Sequence, residues 1–293
     1  MKQKRLFAIA IFALAALFAE GAAIAGEKID VYVSIPPQSD FVKAIAGAHA
    51  DISVMVQPEK SPASYEPSPR QMVTLSRSEI YFAIGVPFET AWLEKFADAN
   101  PEMRIVHTEA GIEKKPIHRH SGHHKTHHSA NGIKDPHIWL SPPLVMLQAR
   151  HILTGLTAVD PSNAADYEKN YQKFINRLVE LDIALMKEFA DISRLGFMVF
   201  HPSWGYFADA YGLDQIAIEI EGKEPNAKDV SALIKTARRN NISVIFAQPQ
   251  FSTRQAQIIA KEIGGALVTA DPLAEDWEKN LRHIASAIKR ELK

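Results

Sequence analysis

A chain of 293 residues, 46% hydrophobic and 23% charged, is long enough for two lobes of ordinary domain size, each with its own core. A formal charge of -1 gives no reason to expect nucleic acid or an anionic membrane surface as a partner. The absence of cysteine excludes disulfides and thiolate metal sites, and argues against a lipidated N-terminal cysteine.

Lys2, Lys4 and Arg5 precede an apolar run, Leu6 to Ala19, that is too short to span a bilayer. Ala23-Ile24-Ala25 follows as an A-x-A cleavage signal. We expect a signal peptide over residues 1–25 and a mature chain from about Gly26 with a charge of -3. The expected destination is a bacterial periplasm, without a lipid anchor.

Ile29 to Ile35 alternates apolar and polar residues and reads as a strand stopped by Pro36-Pro37. Ser39 is placed to cap a short helix ending before Gly47, and Ile52 to Val56 is a second strand. The Pro-rich run Ser61-Pro62-Ala63-Ser64-Tyr65-Glu66-Pro67-Ser68-Pro69 is a loop, because proline removes donors and restricts its neighbours. A helix at Arg70 to Arg77, a strand at Ile80 to Ile84, a helix from Pro87 to Phe96 and a strand at Ile105 to His107 complete a β-α-β-α-β-α-β order. That order is the pattern of a small α/β lobe. Residues 117–130 break it. The stretch holds His118, His120, His123, His124, His127 and His128 with almost no apolar content. It cannot offset its chain entropy by burial, so we expect a mobile loop that can capture metal weakly.

From Asp160-Pro161 a long helix is predicted. Tyr167, Tyr171, Phe174, Leu178, Leu181 and Leu185 recur at spacings of four and three, and no Gly or Pro intervenes before Gly196. A helix over 163–191 would run roughly 44 Å at 1.5 Å per residue, a stiff spine between two lobes. The second lobe repeats the α/β pattern, with strands at 197–200, 216–220, 244–246 and 267–270. Ser203, Glu224-Pro225 and Ser252 open the helices between them, Gly212 and Gly264 close two of these, and a last helix runs from about Ala274 to Leu292.

Three donors stand at matching places. His137 lies in the Pro-flanked turn Asp135-Pro136-His137-Ile138-Trp139, just after the histidine run. His201 and Asp271 each follow an apolar strand and precede a proline, the address where ligands collect in open α/β sheets. Two imidazoles and a carboxylate suit zinc, whereas more oxygen donors would suit manganese, magnesium or calcium. Asp135 reads either as a hydrogen-bond partner of a ligand or as a turn residue, the turn being favoured. His49, His107, His151 and His283 stand apart from these motifs and read as structural or surface residues.

These motifs, with Phe200-His201-Pro202-Ser203-Trp204-Gly205-Tyr206-Phe207, Glu224-Pro225 and Asp271-Pro272-Leu273, resemble the zinc- and manganese-specific solute-binding proteins of bacterial ABC importers. The likeness is to the zinc-uptake (ZnuA-like) type and covers essentially the whole mature chain. It implies two α/β lobes joined by a long rigid linking helix, with one metal in the cleft between them: a first lobe over 26–160, the helix over 161–193 and a second lobe over 194–293. It implies a monomer that is not an enzyme, captures Zn2+ (Mn2+ less readily) and delivers it to an inner-membrane ABC permease. His137, His201 and Asp271 match three ligand positions of the family. Manganese-type relatives tend to carry Glu where His201 stands. The fourth position departs from the pattern: the family's Ser-Pro-His-x-Tyr-Glu-Pro reads here with Ala63, which has no donor atom. Water, Glu66 or a histidine of the loop would have to replace it.

Two other readings compete. Three ligands and an open position also describe a catalytic zinc, with Glu66 as general base, although no H-E-x-x-H or comparable motif is present. A periplasmic metal buffer would instead rely on residues 117–130. If imidazoles are the ligands, affinity should fall as pH drops through about 6.5.

Overall fold

The computed structural model describes residues 27–117, 134–191, 195–220 and 222–290. The expected signal peptide and all six histidines of the 117–130 stretch lie outside the described residues.

The first lobe is a four-stranded parallel sheet of β1 (Ile29–Val33), β2 (Ala50–Val54), β3 (Ile80–Ala83) and β4 (Arg104–His107). Its order is β2-β1-β3-β4. The chain moves outward in opposite directions from β1 and β3, which creates a crevice beyond their carboxyl ends. β3 is buried along its whole length, as a central parallel strand covered on both faces must be. Helices α1 (Pro36–Ala46), α2 (Pro69–Leu75) and α3 (Glu89–Ala99) connect the strands. A further helix, α4 (Pro142–Val159), closes the lobe. The sequence pattern assigned no element there, because Thr154, Gly155 and Thr157 interrupt its apolar periodicity.

The spine is present as α5 (Ala164–Phe189), preceded by a 3-10 turn at Pro161–Asn163. Tyr167, Phe174, Leu178, Leu181 and Leu185 are buried along one side of it, as the predicted seam requires.

The second lobe repeats the plan with β5 (Leu195–Val199), β6 (Leu213–Ala217), β7 (Val244–Ala247) and β8 (Ala266–Thr269), all parallel, in the order β6-β5-β7-β8. Helices α6 (Gly205–Tyr211), α7 (Ala227–Arg239) and α8 (Arg254–Ile263) lie between them, and α9 (Trp277–Arg290) ends the described chain. Side chains alternate across this sheet. Met198 and Ile245 join a separate core that includes Val230 and Leu233 of α7 and Ile259 of α8. Phe197, Val199, Val244 and Phe246 point the other way, into one continuous core shared with the first lobe and α5. The final helix completes that shared core: Leu281, Ile284 and Ile288 belong to it, and the Trp277 ring packs edge-on against Phe41 of α1 at 5.1 Å.

Three predicted serine caps are not formed. α1 starts at Pro36, whose fixed φ suits a first turn, and Gln38 accepts the N–H groups of Ser34 and Ile35 in place of a serine. Ser39 sits within the helix and donates to the Pro36 carbonyl at 2.7 Å. α6 begins after Trp204, and Ser203 instead accepts a hydrogen bond from Gln248 at 2.7 Å. α8 begins after Thr253 rather than Ser252, without a side-chain cap. α7 is capped by Asn226, reciprocally with Asp229, rather than opened by Glu224-Pro225. Gly212 does close α6, in the left-handed conformation that favours glycine.

One carboxylate is buried at the first lobe's crevice. Glu89 accepts hydrogen bonds from the Ser34 hydroxyl and from the backbone N–H groups of Ile84 and Gly85, at 2.9 and 2.7 Å for the latter two. Burial pushes its pKa up to about 6 although these donors pull the other way. A carboxyl raised in the folded state contributes stability that is full below its unfolded pKa, near 4.5, and lost as pH rises through about 6. Relative to Glu89→Gln, the wild type should therefore lose about 1.5 kcal/mol between pH 4.5 and 6.5. Urea unfolding of both proteins across that range checks this; parallel curves would refute it.

Candidate metal centre

The two crevices face each other across a cavity of about 350 Å3. His137 and His201 both line it, and their ring centroids are 5.3 Å apart. Each imidazole is held by a carboxylate on the same nitrogen. Asp135 Oδ1 lies 2.7 Å from His137 Nδ1, and Glu219 Oε2 lies 3.0 Å from His201 Nδ1. A carboxylate on Nδ1 fixes the proton there and leaves the Nε2 lone pair for a cation.

The local sequence explains the rigidity of each arm. Pro136 fixes the turn, and Asp135 Oδ1 also accepts the His137 backbone N–H at 3.0 Å, so one oxygen orients backbone and ring together. Gly205 makes room for this carboxylate: a Cβ there would lie 3.0 Å from Asp135 Oδ2. The Tyr206 hydroxyl donates to the Asp135 carbonyl at 3.0 Å and accepts the Lys115 N–H at 2.9 Å, tying the second lobe to the first beneath the site. His201 follows β5, and Gln248, following β7, clamps its backbone: Oε1 accepts the His201 N–H at 2.8 Å and Nε2 donates to its carbonyl at 2.6 Å. The His201 ring stacks on Phe251 with centroids 5.0 Å apart. Burial lowers the pKa of His137, opposed by Asp135, and this keeps the ring neutral and ready to ligate below the usual imidazole range.

Asp271 is placed differently. It follows β8, and its neighbours Pro272 and Leu273 line the cavity, but its Oδ1 accepts hydrogen bonds from Gln250 at 2.8 Å and from the Leu273 N–H at 2.9 Å. Among the described residues, no three His, Asp or Glu side chains are close enough to hold a metal ion. The structure thus brings His137 and His201 together and leaves Asp271 beside the cavity. Ala63 lines it without a donor, and Glu66 is exposed and outside the lining. The remaining histidines have other surroundings. His49 pairs with Asp166, His107 with Glu109 and His151 with the Ala110 carbonyl, and His283 is exposed.

Glu219 was missed in the sequence and Asp135 only half read, since it is a turn residue and a ring holder at once. The signal for Glu219 was a carboxylate set between Ile218 and Ile220 just beyond a strand. Glu219→Ala, which takes the acceptor from His201 Nδ1, should weaken zinc binding about 10–100-fold. Glu219→Gln, which can still accept that N–H, should lose less. A competition titration against a chromogenic chelator reads both, and equal losses would remove the orienting role.

A sequence model described as zinc-uptake complex component A, periplasmic (ZnuA) matches residues 31–291. Zinc-binding protein AdcA of Streptococcus pyogenes serotype M3 is 27% identical over 276 residues, covering 88% of this chain and 53% of that protein. The chain therefore spans about half the length of this relative, whose Streptococcus pneumoniae counterpart is named a zinc-binding lipoprotein. The high-affinity zinc uptake system protein ZnuA of Bacillus subtilis is 27% identical over 272 residues, covering 88% of this chain and 84% of that one. A crystal structure of ZnuA superposes with a TM-score of 0.83 at 40% identity, covering 90% of this chain and 99% of that one.

Proposed function

The chain belongs to the periplasmic zinc-uptake component A family, and from that premise we propose that it is the receptor of an ABC importer, capturing zinc and handing it to a membrane permease. The observation that carries this reading is the pair of carboxylate-held imidazoles, His137 and His201, facing one cavity. Both offer Nε2, a donor suited to zinc at roughly 2.0–2.1 Å. We assign Asp271, which lies beside the cavity, as the third ligand, its carboxylate having to turn toward the cation on binding. Manganese is disfavoured because two of these three donors are nitrogens.

We read the protein as a binding protein and not an enzyme, since Glu66, the candidate base, does not line the cavity. The working division is a lobe over 26–160, a linking helix over 161–193 and a lobe over 194–293, acting as a monomer. We further assign it to the periplasm, which the family description supports. No described helix is long and apolar enough to cross a membrane. One relative is named a lipoprotein, which conflicts with the expectation of an unanchored protein.

Elemental analysis and zinc titration of the purified chain, with and without residues 117–130, test the proposal. One tight zinc per chain, kept after the deletion and preferred over manganese, is the expected result. Loss of most zinc capacity on deletion would turn the reading into a buffer.

A further inference from the structure

The cavity is large for a bare ion. At about 350 Å3 it falls within the range of small-molecule sites, roughly 300–1,000 Å3, whereas a coordinated water needs only about 30 Å3. Its walls are largely apolar, with Val86, Pro87, Trp139 and Phe251 among them. That is a poor environment for the outer hydration of a divalent cation and a good one for a flat heteroaromatic ring. Three features of the described lining, two of them polar, are not used by the two histidines. Ala63 leaves one side of the cavity without a ligand atom. Gln250 lines the cavity, and its buried Oε1 has no hydrogen-bond partner among the described residues, while its Nε2 is committed to Asp271. The opposite amide orientation would set Oε1 against the Asp271 carboxylate, so the free atom is the acceptor. Lys134, an exposed lining residue, supplies a positive charge.

We propose that this cavity takes zinc as a mixed complex with a small imidazole-bearing amino-acid chelator. The co-ligand's ring nitrogen fills the coordination position facing Ala63, its N–H groups meet Gln250 Oε1, and its carboxylate meets Lys134. The apolar walls enclose its ring. This rests on the receptor reading and deepens it, because the cargo becomes zinc with a one-donor co-ligand rather than a bare ion. No covalent change is involved, only exchange of a metal-bound water for a nitrogen donor, which suits the four-coordinate preference of zinc.

The two possible relations between chelator and protein have opposite signs. A co-ligand couples positively to zinc; a stripping agent couples negatively. The test uses L-histidine and imidazole as probes on the full mature chain. Native mass spectrometry should detect protein, zinc and one histidine together. With cobalt(II) in place of zinc, imidazole should shift the visible bands saturably, and metal affinity should rise by about fivefold or more. Ala63→His should abolish the shift by filling the position from the protein. Lys134→Ala should weaken the response to histidine and spare the response to imidazole, each read relative to that variant's own zinc affinity. The proposal is overturned if histidine only removes metal and yields apo-protein, or if imidazole leaves the cobalt bands of the wild type unmoved. Failure of the receptor reading looks different: zinc alone would then bind the wild type no better than His137→Ala.

Discussion

His137→Ala should lower zinc affinity by about two orders of magnitude or more, and His201→Ala should do the same. Four-ligand zinc sites bind with about 10–16 kcal/mol, so one ligand accounts for roughly 3 kcal/mol, and each 1.4 kcal/mol is a factor of ten. The two variants should part company in stability. His137 is buried beside Asp135, so its removal leaves a carboxylate of low exposure without its ring partner. The His201 side chain is a quarter exposed and its backbone stays clamped by Gln248. The apo form of His137→Ala should therefore melt below the wild type, and that of His201→Ala close to it. Titration by calorimetry, with thermal melts of the metal-free proteins, reads both effects. Wild-type zinc affinity in either variant would remove the pair from the site and the receptor reading with it.

The second large effect is expected at Trp139. Its ring is fully buried, its indole N–H donates to the Pro272 carbonyl at 2.7 Å, and its own carbonyl accepts the Trp277 indole N–H at 2.6 Å. Trp139→Ala should cost about 4 kcal/mol, within the range for large-to-small changes at buried aromatics. It should also weaken zinc binding, because Pro272 adjoins Asp271 and His137 packs on the Trp139 ring with centroids 5.1 Å apart. Trp139→Phe keeps most of the volume and loses one hydrogen bond, a cost of about 1–3 kcal/mol if the Pro272 carbonyl is left unpaired. Chemical denaturation of both variants measures this, and a loss in Trp139→Ala no larger than in Trp139→Phe would show that the site tolerates collapse there.

The frame of the molecule was legible because its periodicities are strong. The α5 seam and the alternation of strands with Gly- and Pro-bounded segments gave two parallel lobes and a spine. Helix starts were less legible. Ser39, Ser203 and Ser252 are good capping residues in isolation, but α1 starts at Pro36 with Gln38 taking the Ser34 and Ile35 N–H groups, Gln248 engages Ser203, and α8 begins without a side-chain cap. At the site, His137 and His201 stood out because each imidazole adjoins a proline. Their carboxylates did not. Asp135 serves turn and ring with one oxygen, and Glu219 comes from a different strand end, 18 residues away from its histidine. Asp271 was found by its place after β8, yet its hydrogen bonds to Gln250 and Leu273 depend on a glutamine that no local pattern marks.

The last helix, α9, has a consequence for timing. It returns across the molecule so that Trp277 wedges against Phe41 in the opposite half, and the larger of the two hydrophobic cores is shared between the lobes. On the receptor reading, a shared core keyed in this way disfavours a wide snapping-shut motion on cargo binding. Loaded and empty forms should then share nearly the same silhouette, which small-angle scattering of the metal-free and zinc-loaded protein would check.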